Sequence, residues 1–268
     1  MRLFLFFLIN GAFVFFIPGK KCQASSPMPA EHAVETQRVI HVFVALCDNK
    51  YQGIVPVPEK IGNGQNPNAN LYWGCGYGIR TYFKKSTEWK WLRTDAANGM
   101  RLERCIFKHV NQDVYLVADA YDGQYIKTCT YDFLKSSSGE LSETLDVNGQ
   151  KIPIYGGADL IAYIGHNGLM DFTLDRGFVK KDSKQRAVII LACASRNYFK
   201  EAVRETGARP ILWTTHLMCP EAYTLHDALT GYVRGETDAA IRMRAVKAYQ
   251  KYQKCSEKGA LNLLVTGY

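Results

Sequence analysis

The stretch Ala158-Asp159-Leu160-Ile161-Ala162-Tyr163-Ile164-Gly165-His166-Asn167-Gly168, with its counterpart Ala187-Val188-Ile189-Ile190-Leu191-Ala192-Cys193-Ala194-Ser195, decides the fold. Each is a short apolar run, partly β-branched or aromatic, that ends abruptly in a reactive side chain. Runs of this length and composition read as buried parallel strands. Sites in open α/β sheets form just beyond the carboxyl ends of the strands. An imidazole and a thiol are therefore expected together at one rim, and that pairing suits thiolate nucleophilic catalysis.

Outward from these runs, strand and helix patterns alternate. Val39–Leu46 reads as the first strand, closing at Cys47-Asp48-Asn49. Ile61–Asn68 is dense in Gly, Asn and Pro and reads as a long loop at a strand end. Leu71–Leu92 is aromatic-rich and reads as helical from about Gly78, with Ile79, Tyr82 and Phe83 on one face. Val114–Ala118 reads as a strand, Gln124–Leu134 as a helix, and Ser136–Gly139 as a linker. Residues 140–157 read as a hairpin turning at Asn148-Gly149. Arg196–Glu205 is a helix closed by Gly207. Ile211–Thr215 follows as a strand, then helices over Glu221–Val233 and Asp238–Lys254, then a last strand over Leu261–Thr266. This order predicts an α/β protein, a mostly parallel central sheet with helices on both faces.

The N-terminus reads as a secretory signal peptide: Arg2, an apolar Leu3–Ile17, a Pro18-Gly19 break and a cut after Ala24. A lipid-modified Cys22 is disfavoured by Lys20 and Lys21 directly before it. The apolar stretch is short of the ~20 residues a membrane span needs, and no second one is long enough. The expected organisation is a signal peptide at 1–24, a loose lead-in at 25–36 and one α/β domain at 37–268. The expected location is secreted or periplasmic, with no stable membrane insertion after cleavage. The formal charge of +8 falls to about +5 without the signal, and its basic residues are scattered among acids, so nucleic-acid binding is not expected. Oligomeric state is left open. Seven cysteines remain: Cys47, Cys75, Cys105, Cys129, Cys193, Cys219 and Cys255. An odd number leaves at least one thiol free or paired between chains. No Cys-x-x-Cys pair suggests a metal site.

Cys193 stands at a strand end where a helix begins, and the positive end of that helix favours a thiolate. His166 is flanked by Gly165 and Asn167-Gly168, which allow backbone to approach a ligand. Singly, each residue reads more simply as packing; together, at neighbouring strand ends, they read as a nucleophile and a base. Trp213, Thr215 and Asp48 are expected to line a substrate groove. Asp171 and Asp175 follow the histidine and could orient it, but read more simply as solvated loop acids; His41 reads as structural, and Tyr72, Trp73 and Tyr77 as core. His216 and His226 are the competing bases.

Tyr163-Ile164-Gly165-His166 and Leu191-Ala192-Cys193, with Ile211–Thr215 and Pro220-Glu221-Ala222-Tyr223 after them, resemble the caspase–gingipain group of cysteine peptidases, the gingipain side most. The resemblance spans roughly residues 38–234. It implies a caspase-like three-layer sandwich, with Cys193 as nucleophile, His166 as base and acid, and the backbone amides of Gly168 and Cys193 as oxyanion donors. In that group Gly directly follows the histidine; here Asn167 intervenes. The expected function is an exported cysteine endopeptidase acting on a peptide or protein substrate, with no cofactor and no metal. The alternatives are a non-catalytic or inactivated module binding a ligand or partner at the same rim, and an acyltransferase using the same thiol.

Overall fold

A computed structural model describes residues 37–96 and 99–268. The expected signal peptide and lead-in lie outside the described residues. β1 (Arg38–Ala45) is buried almost throughout. The long loop after it leads to α1 (Ile79–Lys85), which turns Ile79 and Phe83 inward. The expected helical stretch stops there, because Ser86 is already extended at φ −67° and ψ 141°. β2 (Trp89–Asp95) and β3 (Arg101–His109) follow as an antiparallel pair, interrupted by a bulge between Trp91 and Arg93. β4 (Val114–Tyr121) is wholly buried.

A 3-10 turn at Gly123–Tyr125 feeds α2 (Ile126–Ser138). Ser136, Ser137 and Ser138 belong to its last turn rather than to a linker; each hydroxyl bonds a carbonyl of the preceding turn. Gly139, at φ +81°, ends the helix. β5 (Ser142–Val147) and β6 (Gln150–Tyr155) form the hairpin the sequence signalled. Asn148 and Gly149 both take positive φ, 54° and 84°, which suits the right-handed twist of a two-residue hairpin turn.

β7 (Leu160–Ile164), β8 (Ala187–Leu191), α3 (Ser195–Thr206), β9 (Arg209–Thr214), α4 (Ala222–Val233) and α5 (Asp238–Gln253) complete the alternating part. The expected last strand is mostly helix: α6 (Glu257–Leu263) precedes a two-residue β10 (Leu264–Val265).

The main sheet has eight strands in the order β10-β9-β8-β7-β1-β4-β3-β2. Its five central strands, β9 to β4 in that order, are parallel. β10 on one side and the β3-β2 pair on the other are antiparallel. The sheet is thus mixed but mostly parallel. Side chains alternate across it, as a period of two requires. Ile40, Val42 and Val44 pack with α1, α4, α5 and α6, while Val39, Phe43 and Ala45 pack with α2 and α3. Helices therefore cover both faces, giving three layers.

One polar network interrupts the second face. His41, Arg104 and Asp119 are all buried. Arg104 grips Asp119 with two bonds, 2.6 and 2.7 Å. His41 Nδ1 accepts from the Tyr155 amide at 2.9 Å, so its Nε2 carries the proton and donates to Asp119 at 3.0 Å. Burial pushes the His41 imidazole below its ordinary pKa against the pull of Asp119. Burial would raise the Asp119 pKa, but Arg104 and His41 hold it well below the carboxylate range.

Two outcomes follow from this network. Arg104→Leu is expected to cost about 3–5 kcal/mol in urea unfolding, because it strands a buried carboxylate. Acid should also weaken the fold in two stages. Below about pH 6.5 the unfolded chain takes up a proton that folded His41 refuses, so stability declines as pH falls. Below the carboxylate range the unfolded chain binds the proton that Asp119 refuses, and stability declines again. Urea titrations across pH should show both stages, and His41→Gln should reduce the first to the part that His109, also held below its ordinary pKa by burial, contributes.

Candidate active site

β7 and β8 pair in parallel with Ile164 opposite Leu191. His166 and Cys193 each lie two residues beyond those partners, so both emerge at the carboxyl rim of adjacent strands, which run ~4.8 Å apart. Two backbone features make the turns. Gly165 has φ +143°, and a Cβ there would meet the Ala45 carbonyl oxygen at 3.2 Å and the Tyr72 ring at 3.5 Å. Ala194 takes the left-handed region at φ 47° and ψ 33°, immediately before α3 begins. A non-glycine residue held there carries strain, about 1–3 kcal/mol, of the kind concentrated at functional sites. Cys193 therefore sits on a sharp strand-to-helix turn.

Asn167 joins the two turns. It is fully buried. Its side-chain nitrogen donates to the Cys193 carbonyl at 2.7 Å, and its side-chain oxygen accepts from the Leu169 amide at 3.0 Å. Asn167 is thus a clamp between the histidine loop and the cysteine loop.

The Cys193 thiol is partly exposed. Its sulfur accepts from the Met218 amide at 3.3 Å, and the thiol donates to the Met218 carbonyl at 3.6 Å. The Cys193 amide itself donates to no acceptor among the described residues, so it is free to meet an oxyanion. The Gly168 amide, in a buried residue, likewise has no acceptor among the described residues, and the Tyr163 hydroxyl beneath this loop donates to the His166 carbonyl at 2.8 Å.

His166 is almost fully buried, and its Nε2 lies 2.8 Å from Asp171 Oδ2. Asp171 also accepts from the Gly53 amide at 3.1 Å. It is exposed, as its loop setting suggests, and it also takes the orienting position that the sequence offered as the lesser alternative. A 3-10 turn at Gly168–Met170, capped by Asn167, folds it back onto the ring. A carboxylate on Nε2 fixes that nitrogen as the protonated one and leaves Nδ1 as the basic nitrogen. Asp175 behaves as expected of a loop acid and bonds Lys127 and Tyr131.

The three expected groove residues do other work. Trp213 is fully buried and packs edge-on against Tyr268, because a side chain on β9 facing α3 has no route to the rim. The Thr215 hydroxyl bonds the Asn262 carbonyl at 2.7 Å and ties β9 to α6. Asp48 does lie at the carboxyl rim but is buried, accepting from the Lys50 and Tyr51 amides and from Gln65, which it shares with Asp122. It organises the long loop rather than lining a groove.

The competing histidines are placed elsewhere. The His216 ring is turned onto Thr215 Oγ1 at 2.7 Å, and only its carbonyl reaches the cysteine loop, through the Ala194 amide. His226 bonds Ser86 and Asp227 and lines a hollow of about 390 Å³ with Tyr77 and Tyr82. Among the described residues, no cluster of three His, Cys, Asp or Glu is arranged to hold a metal ion. No family model, curated protein or solved structure matches the chain.

The Asp171 contact has a spectroscopic consequence. Long-range ¹H–¹⁵N correlation spectra should show neutral His166 as the Nε2-protonated tautomer. Asp171→Asn should shift it toward a mixture of the two tautomers. An Nδ1-protonated ring in the wild type would contradict the geometry.

Proposed function

We propose that the chain is an exported cysteine endopeptidase of caspase–gingipain type, with Cys193 as nucleophile and His166 as base and acid. One observation carries the reading: His166 and Cys193 leave adjacent hydrogen-bonded strands at the same rim, with a carboxylate on the far nitrogen of the ring. The mostly parallel three-layer architecture supports the caspase-like assignment, and the N-terminal apolar run supports export.

In this reading the Cys193 thiolate attacks the scissile carbonyl carbon, and the peptide C=O becomes an oxyanion met by the Cys193 amide. The attack needs the thiol proton to have passed to His166. The imidazolium then gives that proton to the leaving amine as the C–N bond breaks, leaving an acyl-enzyme thioester. Water attacks the thioester with His166 as base, releases the acid and regenerates the thiol. Asp171 keeps the ring oriented and offsets its positive charge while it holds the proton. Asn167 keeps the two loops in register through the cycle.

Cys193→Ala is the decisive variant. It should abolish peptide cleavage, by on the order of 10⁴-fold or more, and covalent labelling by peptidyl acyloxymethyl ketones, while circular dichroism shows an unchanged fold. Cys219→Ala, at an exposed thiol, should retain both. A folded Cys193→Ala protein that cleaves at the wild-type rate overturns the reading. A wild-type protein inert to both substrate and probe supports the binding module instead. Amino-terminal sequencing of the secreted chain should begin after Ala24.

A further inference from the structure

A hollow of about 340 Å³ opens between the histidine loop and the first turn of α3, lined by Leu169, Phe172, Thr173, Leu174, Asn197 and Tyr198. We propose that it is a specificity subsite for a large apolar side chain, aliphatic or aromatic, on the substrate residue immediately after the scissile bond. The inference rests on the peptidase reading and names the substrate class for it.

The two walls of the hollow are continuations of the two reactive loops. Leu169 lies three residues after His166, and its amide is held by the same Asn167 side chain that holds the Cys193 carbonyl. Asn197 bonds back to the Ala194 carbonyl at 3.0 Å, within the turn that presents the thiol. A chain bound at Cys193 therefore meets this hollow first on the histidine side.

Proton transfer decides which part of the substrate lies there. His166 must reach the leaving nitrogen, so the residue carrying that nitrogen lies on the histidine side of the sulfur. Its side chain then falls over the Leu169–Leu174 segment. The acyl portion runs the other way, toward the Met218 and Cys219 loop.

The chemistry of the lining sets the preference. Leu169, Phe172 and Leu174 are partly buried and rest on the core beneath α2 and α3. Tyr198 is 45% exposed, a large apolar surface left facing solvent. The only polar groups are the Thr173 hydroxyl, the Asn197 amide and the Tyr198 hydroxyl. No charged side chain lines this hollow, although the Lys127 ammonium, paired with Asp175, lies 5.9 Å from the Phe172 ring centre; a charged side chain seated on the apolar wall loses hydration without a free partner. The volume is at the lower end of ligand pockets and suits one side chain rather than an extended segment. The neighbouring hollow, about 490 Å³, is lined by Lys127 and Asp171 as well as by shared residues. Asp171 is already committed to His166, which leaves that hollow without a free carboxylate to select a basic residue.

The test uses wild-type protein and fluorescence-quenched peptide pairs that share every residue on the acyl side and differ only in the residue after the cut. Leu or Phe there should be cleaved with kcat/KM at least about tenfold above Asp or Lys, as an apolar pocket discriminates. Tyr198→Glu should collapse that ratio and leave the ranking of acyl-side residues unchanged. Glu201→Ala, farther along α3 and open to solvent, should keep it. Cleavage with no preference at this position, or a ratio unmoved by Tyr198→Glu, overturns the subsite and leaves the peptidase reading standing. Absence of cleavage across the set, with no acyloxymethyl ketone labelling of Cys193, overturns both.

Discussion

The parallel register of β7 on β8 is the constraint on which the site depends. With Ile164 opposite Leu191, equal overhangs bring His166 and Cys193 to one rim. A slip of one residue would turn either side chain to the opposite face of the sheet. Burial enforces the register, because every residue of both strands is inaccessible to solvent. The Asn167 clamp then locks what lies beyond the last ladder bonds. Site geometry is thus set mainly by hydrophobic pairing and refined by one side-chain amide.

The buried His41–Asp119–Arg104 network does comparable work on the other side of β1. It joins β1, β4 and β3, and through Tyr155 it reaches β6. Tyr155 itself is held at φ +55°, a conformation that the His41 bond to its amide and the Arg104 bond to its hydroxyl help to fix. A fully apolar core would be cheaper in desolvation, but the bidentate Arg104–Asp119 geometry specifies one alignment of the antiparallel β3 on the parallel sheet.

The parallel centre was legible in the sequence because buried strands are continuous apolar runs with sharp ends. Val39–Leu46, Leu160–Ile164, Ala187–Leu191 and Ile211–Thr214 all stand out in this way. The antiparallel edge was not. Trp89–Asp95 carries Lys90, Trp91 and Arg93, largely solvent-facing, and a bulge that breaks its alternation, so it ran on in the sequence from the amphipathic helix before it. That His166 and Cys193 share one rim was legible because each ends a run. Asp171 could be named but not ranked above Asp175, because only a capped 3-10 turn brings it onto His166; Asn-Gly after the histidine was the available sign of such a turn. Trp213 misled because a strand-end position says nothing about which face a residue takes.

The seven unpaired thiols among the described residues differ in burial and hydrogen bonding. Burial pushes the Cys47 and Cys105 thiols up to about 11 and raises Cys129 further still. Burial also raises Cys75 and Cys219, with the Glu221 charge adding to it. Such thiols stay protonated near neutral pH and behave as small apolar groups. Cys193 differs in kind: it is partly open to solvent, follows a strained turn, stands before a helix N-terminus and accepts an N–H from Met218. The thiols of Cys47, Cys105 and Cys129 are buried, whereas Cys193 emerges partly open at the rim that also carries His166. That contrast, more than the presence of a thiol at a strand end, is the physical argument for a nucleophile at position 193.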